Sequence, residues 1–135
     1  MANDKKVIII EDDKDINDFI AYNLRKEGFA AEQVLDGLSA TQRIKEEVFN
    51  IVILDIMLPG IDGFEICAKL KDDPRYAQSF IVVISAKCRQ QDKLYAYLLG
   101  ADCYLTKPFS LECLLKLVIE SSSFFDKEYL VKMPG

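Results

Sequence analysis

Four short apolar runs of the chain each end in a residue that can take part in chemistry. The runs and the polar residues that follow them are Val7–Ile10 with Glu11, Asp12 and Asp13, Ile51–Leu54 with Asp55, Phe80–Ile84 with Ser85, and Cys103–Thr106 with Lys107. Carboxylates, a hydroxyl and an ammonium are thus supplied by segments far apart in sequence. These groups can act together only if the fold brings the ends of the four runs to one place.

The chemistry that such a group of residues would support is phosphoryl transfer. Carboxylates 4 Å apart repel by ~4 kcal/mol per pair at an effective dielectric of 20, so the acidic cluster needs a cation. Mg²⁺ suits such oxygen ligands and binds one or two carboxylates together with phosphate oxygens; Mn²⁺ is possible. A carboxylate such as Asp55 can itself become an aspartyl phosphate. Lys107 and Ser85 would then neutralise the remaining phosphoryl oxygens.

Five apolar runs alternate with five amphipathic stretches, which predicts an α/β fold. The predicted strands are Val7–Ile10, Phe29–Leu35, Ile51–Leu54, Phe80–Ile84 and Cys103–Thr106, and the predicted helices are Asp15–Glu27, Ser39–Phe49, Phe64–Lys71, Gln90–Leu99 and Ser110–Glu120. Strict alternation indicates a doubly wound five-stranded parallel sheet with helices on both faces. In such a sheet ligands bind at the carboxyl ends of the strands, where the four polar groups would meet.

Composition limits the remaining possibilities. The chain has 135 residues with a net charge of −5 and no basic stripe, so we expect one domain without direct nucleic-acid binding. The four cysteines form no C-x-x-C pair and histidine is absent, which argues against a zinc site and favours reduced thiols in a cytoplasmic protein. The apolar run near the N-terminus is too short for a signal peptide or a membrane span. We expect the domain to cover 1–123, with 124–135 a tail or the start of a linker to an absent output domain.

Four segments give the chain a specific family resemblance. VIIIEDD, IVILDIMLPGIDG, VVISAK and GADCYLTKPF resemble the signature blocks of response-regulator receiver domains, in the family's order, from about Lys6 to Glu120. The resemblance implies a flavodoxin-like sheet of strand order 2-1-3-4-5. It also implies Mg²⁺-dependent phosphorylation by a sensor histidine kinase or a phosphotransfer protein. Such a domain catalyses its own phosphorylation and dephosphorylation, and it is a switch rather than an enzyme of external substrates.

Individual residues match positions with known roles in that family. The resemblance implies that Asp55 is the phosphoacceptor and that Glu11, Asp12 and the backbone carbonyl of Met57 join it in holding the metal. It further implies contacts to the phosphoryl group from Ser85 and Lys107, access past the small Ala86, a cis bond before Pro108, and a switch reported by the rotamer of Tyr104. For Asp13 two interpretations stay open: support of the acidic pair, or the cap of the first helix.

The last two predicted helices carry more apolar residues than one core face requires. Leu94, Tyr97 and Leu98 in the fourth helix and Leu115 in the fifth are the main candidates for an interface. The winged-helix transcription subfamily of receivers carries charged pairs on this face, where this chain has Leu98, Cys103, Cys113 and Leu117. We therefore hypothesise a more apolar contact, either a homodimer or a docked output domain, through the face of helix 4, strand 5 and helix 5.

Two other functions fit the residues less well than a receiver does. A phosphatase of the haloacid-dehalogenase type would need a second acid two residues after the nucleophile, and Met57 stands there. A receiver that signals through protein contacts without phosphorylation would be expected to lack one of the acids or the lysine. All of these residues are present in the chain.

Overall fold

Five parallel strands form one sheet, as the sequence predicts, and their order is β2-β1-β3-β4-β5, as the family resemblance implies. The computed structural model describes residues 5–123. The strands are β1 (Lys6–Ile10), β2 (Ala30–Val34), β3 (Ile51–Asp55), β4 (Phe80–Ser85) and β5 (Cys103–Thr106), and the helices are α1 (Lys14–Lys26), α2 (Gly37–Glu46), α3 (Gly63–Asp72), α4 (Gln90–Leu98) and α5 (Leu111–Ser123).

The three central strands are apolar except for one end residue each, because helices cover both faces of the sheet. All residues of β3 and β4 are buried, and only Lys6 is exposed in β1. Side chains alternate between the faces along each strand. Ile8 and Ile10 pack with α2, α3 and α4, whereas Val7 and Ile9 pack with α1 and α5. The edge strand β2 is only partly buried, which explains its weaker sequence signal.

Side-chain caps fix where the helices that flank the site begin. Asp13 is the N-cap of α1, and its carboxylate accepts hydrogen bonds from the backbone N–H groups of Asp15 and Ile16. This contact selects the capping interpretation of Asp13. The hydroxyl of Ser110 accepts from the backbone N–H of Cys113 and caps α5. Gly28 has a positive φ of 93° and ends α1.

Some predicted boundaries were wrong by a few residues. The second helix spans Gly37–Glu46 rather than Ser39–Phe49, because Asp36 caps it and the backbone is already extended at Glu47. Phe49 therefore lies beyond the helix and fills the core under the sheet. A 3₁₀ turn at Pro74–Tyr76, absent from the predicted elements, follows α3. The fifth helix continues beyond Glu120 to Ser123.

The predicted tail at 124–135 lies outside the described residues, so the proposed division of the chain at 123 stays a prediction. Within residues 5–123, no helix has the length and apolar character needed to cross a membrane.

Gly63 provides a test of how tightly α3 packs against the end of β3. A Cβ atom at Gly63 would lie 2.2 Å from the Cα of Ile56 and 2.9 Å from the carbonyl oxygen of Asp55. We expect Gly63→Ala to lower the free energy of unfolding by about 3 kcal/mol, the upper end of typical overpacking costs. Urea denaturation followed by circular dichroism measures this change.

Gly60 is the matched control for this substitution. A Cβ atom there would meet nothing within 4 Å, although φ is +87°. Gly60→Ala should therefore cost only the ~1 kcal/mol of the left-handed backbone conformation. Equal losses in the two variants would contradict the close contact between Gly63 and the end of β3.

Candidate functional site

Three carboxylates meet at the carboxyl edge of the sheet. Glu11 and Asp12 follow β1, and Asp55 is the last residue of β3, the neighbouring strand. Each of the three offers a carboxylate oxygen, and these oxygens all lie within 4.8 Å of one another. Glu11 and Asp55 are buried, whereas Asp12 is exposed. The parallel topology therefore produces the cluster that the sequence predicts.

Both carboxylate oxygens of Asp55 have hydrogen-bond donors. Oδ1 accepts from the backbone N–H of Met57 at 2.8 Å, and Oδ2 accepts from Nζ of Lys107 at 2.8 Å. The side chain is held in one orientation by these two bonds and by its burial. The family resemblance implies a role only for the carbonyl of Met57, so the contact from its N–H is a finding of the structure.

Lys107 is the cation that the structure places inside the cluster. Its Nζ lies 2.6 Å from Oε1 of Glu11 and 2.8 Å from Oδ2 of Asp55. Burial disfavours the ammonium form, but the two carboxylates outweigh this effect and raise the pKa of Lys107. Lys107 therefore stays protonated and bridges the ends of β1 and β3.

Glu11 is the carboxylate with the most perturbed environment. Burial raises its pKa to about 7, although Lys107 and the backbone N–H of Asp13 favour the charged form. Its Oε2 accepts from the Asp13 N–H at 3.1 Å. Despite the ion pair with Lys107, its buried Oε1 has no hydrogen-bond partner among residues 5–123.

The donor set fits a small divalent cation. Three carboxylates face one ammonium, and buried negative charge of this kind is costly without further positive charge. Oxygen ligands of this type suit Mg²⁺ and, less selectively, Mn²⁺. The exposed Asp12, with Met57 and Lys87, lines an open depression of about 590 Å³ beside the cluster, so a solvated ion could reach these oxygens.

Ser85 and Tyr104 are linked to the loop after β4. Asp55 pairs with Ile84 in the sheet register, so Ser85 stands one residue further along the adjacent strand. The hydroxyl of Ser85 accepts from the backbone N–H of Lys87 at 3.1 Å. The phenol of Tyr104 donates to the carbonyl of Lys87 at 2.7 Å. The backbone of Lys87 therefore connects the two side chains.

Comparison with known proteins identifies this arrangement. The family model described as the response regulator receiver domain matches residues 7–119. This chain belongs to that family. Receiver domains are the phosphoacceptor domains of two-component signalling, they partner with histidine kinases or phosphotransfer proteins, and they bind Mg²⁺ at an acidic pocket.

Solved structures of other receivers are similar over nearly the whole described chain. The receiver domain of Francisella response regulator 1452 has 28% identity and a TM-score of 0.81, covering 88% of this chain and 97% of that one. The beryllium-fluoride-activated N-terminal receiver domain of Klebsiella pneumoniae RstA has 28% identity and a TM-score of 0.80, covering 89% and 100%. Chemotaxis protein CheY4 of Vibrio cholerae has 25% identity and a TM-score of 0.80, covering 87% and 98%.

The other predicted site positions of the receiver lie around the same edge. Ala86 and Pro108 are exposed next to Ser85 and Lys107. The bond between Lys107 and Pro108 is cis, as the family resemblance implies. The structure thus brings Glu11, Asp12, Asp55 and Lys107 into contact range, whereas the roles assigned to the individual residues stay predictions.

The predicted apolar face is exposed on α4 but largely covered on α5, whereas the sequence predicts exposed apolar residues on both helices. On α4 the residues Leu94, Tyr97 and Leu98 are exposed, with Leu98 at 62%. On α5 the expected counterpart Leu115 is only partly exposed and packs against the core. The reason is that α5 lies along the sheet, where Leu114 and Val118 are fully buried and their neighbours flank them.

Two residues near the site were missed or given too small a role. Asn17 of α1 is buried, and its amide donates to backbone carbonyls at the ends of β1 and β2. A polar residue on the buried side of an amphipathic helix was the available signal. Lys87 is the second, and its ammonium lies 5.6 Å from the ring centre of Phe64 in α3.

The raised pKa of Glu11 leads to a prediction for the domain without divalent cations. Glu11 keeps its proton up to about pH 7 in the folded state and only to about 4.5 when unfolded. Between these values the folded state binds more protons, so the free energy of unfolding falls as the pH rises. The total loss relative to Glu11→Gln is on the order of 3 kcal/mol, and it is complete above pH 7.

Urea denaturation in EDTA from pH 4.5 to 8 measures this difference, with Glu65→Gln in the exposed part of α3 as the control. If the free energies of unfolding of wild type and Glu11→Gln differ by the same amount at every pH in that range, burial does not shift the titration of Glu11.

Proposed function

We propose that Asp55 of this receiver domain accepts a phosphoryl group in a Mg²⁺-dependent reaction. The donor would be a phosphohistidine of a sensor histidine kinase or a phosphotransfer protein, or a small acyl phosphate. The observation that carries this proposal is the contact set of Asp55, which lies among Glu11, Asp12 and Lys107 at the end of a buried strand.

A carboxylate oxygen of Asp55 is the nucleophile. It attacks phosphorus in line, a new bond forms between this oxygen and phosphorus, and the bond from phosphorus to the donor nitrogen or oxygen breaks. The donor leaves with the electron pair of the broken bond. A phosphohistidine leaves as imidazole, whose nitrogen can take up a proton from solvent, and an acyl phosphate leaves as a carboxylate. Since little covalent chemistry is required of the protein, positioning and charge neutralisation account for most of the catalysis.

Glu11, Asp12 and Asp55, together with the backbone carbonyl of Met57, are the groups that would hold the ion. When bound, Mg²⁺ would neutralise phosphoryl charge and relieve the repulsion among the carboxylates. Mn²⁺, which shares the preference for oxygen ligands, could replace it.

Lys107 supplies the second positive charge. Its ammonium already bridges Asp55 and Glu11, so it needs only a small movement to contact a phosphoryl oxygen on Asp55. As a compact point charge it stabilises the oxygen by electrostatics rather than by fixed geometry. Its backbone N–H donates to the carbonyl of Ser85 at 2.8 Å, which keeps β5 in register with β4 at the site.

Ser85 is the proposed sensor of the phosphoryl group. Its oxygen accepts from Lys87, which leaves its own O–H able to donate to a phosphoryl oxygen. Turning toward that oxygen would break the bond to the Lys87 N–H and disturb the carbonyl that holds Tyr104. Phosphorylation would thereby change the populations of two arrangements of the loop between β4 and α4.

Removal of the phosphoryl group would reset the switch. Water attacks phosphorus, the bond between phosphorus and the Asp55 oxygen breaks, and inorganic phosphate leaves while the carboxylate is restored. The small side chain of Ala86 leaves the approach open at this edge. The domain would therefore act on its own aspartate as a switch and not on external substrates.

The signal would pass to a partner through the face formed by α4, β5 and α5. The exposed apolar residues of α4 support this proposal, since exposed apolar patches on small domains mark interaction sites. The partner would be a second copy of the receiver or an output domain, and the contact would be more apolar than one built on charged pairs.

Intact-mass spectrometry tests the proposed phosphoacceptor. After incubation with acetyl phosphate and Mg²⁺, we expect the wild type to gain the mass of one phosphoryl group and Asp55→Ala to gain none. EDTA added before the donor should prevent the gain. Asp13→Asn is the matched control, because Asn still caps α1 and Asp13 is not assigned to the site.

Rapid hydrolysis could hide the adduct, so beryllium fluoride serves as a stable mimic of the phosphoryl group. A rise in melting temperature with beryllium fluoride and Mg²⁺ in wild type but not in Asp55→Ala would support the site. If neither the adduct nor the rise in melting temperature is observed, phosphorylation of Asp55 is contradicted. That outcome would favour a receiver that acts through protein contacts alone.

Analytical ultracentrifugation tests the partner face. If the face forms a homodimer, beryllium fluoride should promote it, and Leu98→Glu should raise the dimer dissociation constant by about tenfold or more, because the charge must be desolvated. Leu38→Glu, at an exposed position on α2, should have no effect. A monomeric mass in both states, together with no captured output partner, would contradict this role of the face.

A further inference from the structure

Asn17 is a polar side chain in an apolar environment. It has no solvent exposure, and Ile20, Ala21 and Leu24 are buried on the same helix. An amide buried without compensation destabilises a fold, so a residue of this kind needs hydrogen-bond partners. Its oxygen Oδ1 has none within the described range, and its contacts are therefore made by the Nδ2 group alone.

These contacts converge on the ends of two strands. Nδ2 donates to the carbonyl oxygens of Glu11 at 3.0 Å, Val34 at 3.0 Å and Ile9 at 3.3 Å. Val34 ends β2, Ile9 lies in β1, and Glu11 is the first residue after β1. One side chain of α1 therefore holds both strands at the point where the acidic segment begins.

The backbone of the acidic segment is held at both of its ends. At the first end, Glu11 donates from its N–H to the Val34 carbonyl at 3.1 Å, and its own carbonyl accepts from Asn17. At the second end, the carbonyl of Asp13 accepts from the backbone N–H of Asn17 at 2.9 Å. Asp12 lies between two anchored residues, and Asn17 contacts both of them.

We propose that Asn17 is a positioning residue for the cation site, an inference that rests on the proposed Mg²⁺-dependent function. Glu11 and Asp12 repel each other and Asp55, and this repulsion tends to open the segment before an ion binds. The Asn17 amide anchors the carbonyl before Asp12, at Glu11, while the first backbone hydrogen bond of α1 holds the carbonyl after it, at Asp13, and does not depend on the side chain. Through the contact at Glu11, the amide keeps the carboxylates at a separation suited to one ion. The ion then binds without having to order the segment.

A purely structural role predicts a different result. If Asn17 only joined α1 to β1 and β2, its loss would lower the melting temperature, while folded protein would bind Mg²⁺ as before. Asn17→Leu is the sharpest variant, since leucine fills a similar volume and suits the apolar surroundings. Asn17→Ala removes the amide without adding bulk. Asn23→Ala is the matched control, because Asn23 is on the same helix and its amide donates to the carbonyl of Phe19 within that helix.

Isothermal titration calorimetry with Mg²⁺ alone, on protein shown to be folded by circular dichroism, measures the effect without phosphorylation. We expect both Asn17 variants to raise the Mg²⁺ dissociation constant by about 10–100-fold, as do changes to residues that orient metal ligands. Asn23→Ala should match the wild type. In phosphorylation by acetyl phosphate, the Mg²⁺ concentration for half-maximal rate should rise by the same factor, with little change at saturating Mg²⁺.

The outcomes separate this inference from the function on which it rests. Wild-type Mg²⁺ affinity in folded Asn17→Leu, with or without a lower melting temperature, would overturn the positioning role and leave the proposed function intact. Failure of the wild type itself to bind Mg²⁺ would overturn the proposed function and the inference together. A raised dissociation constant in Asn17→Leu at an unchanged melting temperature would establish the role.

Discussion

Mutual repulsion of three carboxylates at one edge of the sheet is the constraint on which much of this structure depends. Glu11, Asp12 and Asp55 have oxygens within 4.8 Å of one another, and two of the three side chains are buried. A folded protein tolerates such a cluster only if other groups stabilise it. Lys107 does so by charge, and the backbone N–H groups of Met57 and Asp13 do so by hydrogen bonding.

The same constraint bears on the switch proposed for this domain. In the cluster, Lys107 is shared between two carboxylates, and Asp55 is shared between Lys107 and a backbone donor. A phosphoryl group on Asp55 would redistribute these contacts at once, because each partner is already within hydrogen-bond distance. The loop at Lys87 joins Ser85 to Tyr104 and also contacts the ring of Phe64, so a local change there reaches α3 and β5.

Some features were predictable because they depend on local pattern. Continuous apolar runs marked β1, β3 and β4. The boundaries of α2 were less predictable, because Phe49 extends the apolar periodicity of the helix although its side chain reaches the core from the segment beyond it. The exposure of α5 was also overestimated, since periodicity alone does not reveal how much of a helix lies along the sheet.

The sequence by itself determined the order of the elements, the parallel sheet and the polar residues at its carboxyl edge, since all three follow from local composition and the rules of βα connection. Only the tertiary structure decided which groups touch: that Lys107 lies between Glu11 and Asp55, that Asp13 caps a helix, and that the Asn17 amide donates to the Glu11 carbonyl. The physical reason is that hydrogen bonds and ion pairs depend on distances of a few ångströms between residues far apart in the chain. A local pattern places a residue at an edge but does not specify those distances.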